Sequence, residues 1–82
     1  MMTWNHRVIK DEDAGEAYYA IHECFYNNKE DAMPTSWTAR TIAPLSDTRT
    51  GLLEVLERMA TAVRRPILEV KDGKLVEVEP AL

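Results

Sequence analysis

The chain has 82 residues, enough for one domain, and a formal net charge of −4 with 14 acidic against 10 basic residues. One cysteine excludes an internal disulfide, and the absence of any 18–20-residue apolar run excludes a membrane-spanning helix. An acidic balance argues against a nucleic-acid surface, which shows as a basic excess. A domain this short buries only about 60–65% of its unfolded surface. Its stability must rest on a core drawn from the 45% of residues that are apolar, helped by a second copy of the chain.

Trp4–Lys10 alternates at strand period, with Trp4, His6 and Val8 on one side and Asn5, Arg7 and Ile9 on the other. Lys10–Gly15 is polar, acidic and closed by glycine, which predicts a turn. Glu16–Tyr26 is dense in aromatic and branched residues and predicts a second strand. One face of it carries Ala17, Tyr19, Ile21 and Phe25. The other carries Tyr18, Ala20, His22, Cys24 and Tyr26. Asn27–Pro34 is a polar connection, and Ser36–Ile42 alternates as a third strand ended by Pro44.

Asp47 or Thr48 can cap a helix that runs to Arg65, ahead of Pro66. Leu52, Leu56, Met59 and Val63 recur at helical spacing, widened by Leu53, Val55 and Ala60. Gly51 in the first turn is a local weakness of about 1 kcal/mol. Arg64 and Arg65 complement the helix dipole. Ile67–Lys71 and Leu75–Val78 flank Asp72-Gly73, a type I′ hairpin signal, and residues 79–82 are expected to fray.

The expected fold is α+β: an antiparallel three-strand meander, one long amphipathic helix, then a C-terminal strand or short hairpin, all in a single domain spanning 1–82. One helix covers one sheet face and leaves the other, with its aromatic side chains, uncovered. That predicts a homodimer, with Trp4 and Trp37 as interface residues.

Candidate chemistry is sparse. His22 and Cys24 share a strand face, but at about 7 Å between β-carbons they are too far apart for a nucleophile and its base. His6, His22 and Cys24 lack the compact spacing of a zinc site, so no metal or other cofactor is expected. Glu12/Asp13 and Glu30/Asp31 sit in polar connections, where solubility is the role expected. There is no glycine-rich phosphate loop, no CxxC and no nucleophile elbow. No catalytic residue is assigned. The expectation is a non-enzymatic, cytoplasmic interaction module with a protein partner. Its alternatives are a small-ligand binder or enzyme with a pocket around Tyr18, His22 and Tyr26, and a nucleic-acid-associated protein.

Two resemblances bear on this. Thr3-Trp4-Asn5-His6-Arg7-Val8-Ile9, Tyr18-Tyr19-Ala20-Ile21-His22-Glu23, Ser36-Trp37-Thr38, Leu56 with Met59, and Arg65-Pro66-Ile67-Leu68-Glu69 resemble a group of short uncharacterised bacterial proteins. These carry a Trp-Asn-x-Arg-Val opening and a Tyr-x-Ile-His-Glu strand. The likeness spans about three quarters of the chain and brings no activity or residue role with it. The order of elements, with a Thr-capped helix, is also similar to the HicB-like antitoxin domain. That likeness implies an inhibitor of a partner protein, although Ala43-Pro44-Leu45-Ser46 stands where that family has a glycine-rich loop.

Overall fold

The computed structural model describes residues 2–82. β1 (Thr3–Asp13) and β2 (Glu16–Tyr26) form a long hairpin, and β3 (Ser36–Trp37) adds a short edge to β2. α1 (Arg49–Arg64) follows, then β4 (Ile67–Lys71) and β5 (Lys74–Glu79). The five strands make one mixed sheet in the order β3-β2-β1-β4-β5, with every neighbouring pair antiparallel except β1 and β4. A parallel pair needs a crossover connection, and α1 lies on that crossover. The described residues are therefore α+β with one helix, and their sheet is mixed rather than a meander followed by a strand.

Three boundaries differ from the sequence reading. β1 continues through the acidic Asp11-Glu12-Asp13, so the turn is only Ala14-Gly15, with φ of 52° and 84°. Strong pairing against Glu16–Tyr18 carries those acids as exposed strand residues. The third strand stops at Trp37 instead of reaching Ile42. Its edge touches β2 again through Thr38 N–H to Glu23 O at 3.0 Å and Ile42 N–H to Ile21 O at 2.9 Å. Four residues are spent there opposite two, which breaks the ladder register. At the other end, Glu79 closes β5 and the amide of Leu82 donates to the Arg64 carbonyl at 2.9 Å, where fraying was expected from residue 79.

Alternation fixes the two faces of the sheet. Val8, His6 and Ile67 lie under α1, which buries Met59 and Ala62 and half-buries Leu52 and Val55. The opposite face holds Ile9, Cys24, Tyr26, Leu68 and Leu75, all buried, with Met33 and Trp37 packed against them. The connection after β2 folds back over that face, so its centre is not the bare apolar surface expected. The helix caps are as read: the Thr48 hydroxyl accepts from the Gly51 amide at 3.0 Å, and Arg65 turns extended before Pro66.

Candidate functional site

Burial divides the apolar residues of α1 into two stripes. Leu52, Val55, Met59 and Ala62 face the sheet. Leu53, Leu56, Ala60 and Val63 face away, and the three larger ones keep 56%, 45% and 49% of their surface exposed. This corrects the single stripe expected through Leu56 and Val63, because both series have helical spacing and only the position of the sheet selects between them. The outer stripe advances by three, four and three residues, the spacing of a helix-pairing seam. Leu82, 94% exposed, is tied by its amide to the Arg64 carbonyl at the same end of the helix.

The residues singled out on β2 are on one face but far apart. Tyr18 and Tyr26 each lie four residues from His22, roughly 13 Å along a strand. The Tyr26 hydroxyl is committed to Arg7, accepting from Nη1 at 2.8 Å. The Tyr18 hydroxyl donates to Asp11 at 3.5 Å. His22 Nδ1–H donates to the Thr38 carbonyl at 2.8 Å, which puts a proton on that nitrogen and pins the irregular edge to β2. His6 projects from the opposite face to His22 and Cys24, so the three cannot meet around one ion. Cys24 is fully buried, and burial pushes its thiol up to about 11, against a smaller opposing pull from the Arg7 charge. At neutral pH it is a protonated core side chain. The two tryptophans also part: Trp37 packs on the Cys24 face, whereas Trp4 stands half exposed on the α1 face.

Trp4 opens onto a cleft that the sequence did not suggest. The cleft is about 390 Å³ and lies between the start of β1 and the C-terminal half of α1, lined by Trp4, Asn5, His6, Arg58, Thr61 and Arg65. Trp4 and His6 meet edge-on, with ring centroids 5.4 Å apart and planes at 89°. His6 is 6% exposed, and its pKa is lowered by burial, with Arg58 and Arg65 adding to the effect and Glu23 opposing it. The Arg65 guanidinium is held in place by donating Nη1–H to the His6 carbonyl at 3.2 Å. A second hollow of about 230 Å³ shares Trp4, Asn5 and Arg65 and adds Lys29, Asp31 and Arg7, the last 5% exposed.

No family model, curated protein or solved structure matches the chain.

A sequence signal for the cleft exists in hindsight: His6 and Trp4 share a strand face, and Arg58 and Arg65 are seven residues apart on one helix side. Their meeting depends on the helix crossing over β1, which no local pattern encodes.

Proposed function

We propose that the chain is a small non-enzymatic interaction module of the cytoplasm that self-associates through the outer face of α1 and offers that face to a protein partner. The observation that carries this is the outward stripe Leu53–Leu56–Ala60–Val63. Its large side chains are exposed together on one helix face, and contiguous apolar surface of that kind marks interaction sites. In a two-fold antiparallel pairing, Leu53 would face Val63 of the second copy and Leu56 would face Ala60. Burying the exposed half of each large side chain contributes roughly 1 kcal/mol. Three per copy, from two copies, fall near the low end of the ~4–15 kcal/mol that association costs. Self-association is therefore weak and concentration-dependent, and a protein partner with a longer apolar groove would compete with it. An antitoxin-like inhibitor, the role the HicB likeness implies, is a special case of this reading.

Sedimentation equilibrium across a broad concentration range tests it. The expected result is a reversible monomer–dimer equilibrium that Leu56→Lys abolishes, with the circular dichroism spectrum and melting temperature retained because Leu56 is already 45% exposed. A monomer mass at every concentration would sink the self-association, as would a dimer indifferent to Leu56→Lys.

A further inference from the structure

The cleft beside Trp4 combines charge and an aromatic wall in one place. The chain as a whole is acidic, yet no carboxylate lines the cleft, and Arg58 and Arg65 both do. Among the described residues neither arginine has an ion-pair partner. Two acids line the neighbouring hollows: Glu23 with Trp4, His6 and Arg58, and Asp31 with Trp4, Asn5, Arg7 and Arg65. Two guanidiniums that line one cleft and make no ion pair favour an oxyanion, since the planar fork matches carboxylate and phosphate geometry.

Two buried groups belong to the adjoining hollow. Asn5 borders both the cleft and its adjoining hollow, and its Oδ1, on the Cys24 face of β1, is buried without a hydrogen-bond partner. Arg7 Nε is likewise buried and unpartnered, although its Nη1 and Nη2 donate to the Tyr26 hydroxyl and the Pro66 carbonyl, and Asp31 lines the same hollow. Buried polar atoms are almost always paired, so these two orphans, both on the Cys24 face of β1, mark a polar hollow that adjoins the cleft rather than its floor. The remaining wall is Trp4, half exposed and braced edge-on by His6. A fixed, exposed indole is a stacking surface for a flat ring. The volume, about 390 Å³, lies within the roughly 300–1,000 Å³ of small-molecule sites.

We propose that this cleft binds a small planar oxyanion, a single aromatic or heteroaromatic ring system bearing a carboxylate or phosphate, with the anion between Arg58 and Arg65 and the ring against Trp4. A ring alone leaves the arginines uncompensated, and an inorganic anion leaves Trp4 bare, so both parts of the ligand are needed. The site is independent of the outer stripe of α1, and its test does not depend on the oligomeric state.

The experiment is an NMR titration of the ¹⁵N-labelled protein, following the Trp4 indole N–H and the Arg58 and Arg65 Nε–H signals. The probes are phenyl phosphate, benzoate and adenosine monophosphate, against inorganic phosphate and phenol. At least one ringed anion is expected to move all three signals saturably, and about tenfold more tightly than phenol or inorganic phosphate. Arg58→Ala, at an exposed position, is expected to weaken that binding about tenfold without altering the fold. Trp4→Phe is expected to retain part of the affinity that Trp4→Ala loses. Silence of the Trp4 signal with every ringed anion at about 10 mM overturns the proposal. So does equal binding of inorganic phosphate, or binding unchanged in Arg58→Ala. Polyuridylate that shifts Trp4 while the mononucleotide does not would replace the small ligand with single-stranded nucleic acid.

Discussion

Ala14 occupies the first corner of the β1–β2 turn at φ 52°, ahead of Gly15 at φ 84°. Positive φ at both corners is the two-residue hairpin geometry whose twist suits the flanking strands. A Cβ in that region meets the following carbonyl at a cost of about 1–2 kcal/mol, which alanine bears and glycine does not. Ala14→Gly is therefore expected to raise stability by up to about 1 kcal/mol, less than the full strain because glycine also loses more freedom on folding. Urea denaturation reads this directly, and a lower midpoint in Ala14→Gly would contradict the strained turn. The matching turn at Asp72-Gly73 has φ of 52° and 75° and was legible in the sequence, because aspartate tolerates that conformation and advertises it. Ala14 carries no such signal, which is why the acidic run before it read as loop rather than strand.

At the scale of the element, α1 shows how a propensity argument can be reversed by a cap. Gly51 read as a weakness in the first turn. A Cβ built there would press on the hydroxyls of Ser46 and Thr48, and the Thr48 hydroxyl is the oxygen that caps the helix by accepting from the Gly51 amide. Gly51→Ala gains about 1 kcal/mol of helix propensity and displaces a cap worth about the same. The expected outcome is no stabilisation, with a loss of up to about 1 kcal/mol if Thr48 swings away. The thermal midpoint of Gly51→Ala measures it, and a clear rise would show that the hydroxyls move aside freely. The helix itself was legible from its caps and period, whereas its orientation was not. Leu52, Leu56, Met59 and Val63 form as good a stripe as Leu52, Val55, Met59 and Ala62, and only the position of β1 and Ile67 beneath the helix decides which is buried.

At the scale of the whole molecule, what escaped the sequence is what depends on non-local packing. β2 was read with its observed ends and faces because alternation is local. The parallel β1–β4 pair, the folding of Met33 and Trp37 over the Cys24 face, and the cleft beside Trp4 each join segments distant in sequence. His6 lies at the centre of that assembly, buried at the seam between β1 and α1 with its pKa lowered from 6.5, first by burial and then by the charges of Arg58 and Arg65, against the opposing Glu23. The unfolded chain thus binds a proton at His6 more readily than the folded one, so stability rises with pH where the two differ. The contribution is fully present above 6.5 and is lost as pH falls through 6.5 and then through the depressed folded value. The wild-type profile sums over every titrating group, so it alone does not isolate the histidine. His6→Gln keeps a polar side chain of similar size and cannot titrate. Urea midpoints measured from pH 7.5 down to 5 are expected to fall more steeply in the wild type than in His6→Gln, with the two curves separating near 6.5. Parallel curves would mean that His6 takes up its proton as easily in the fold as out of it, and that the β1–α1 seam is wetter than its burial indicates.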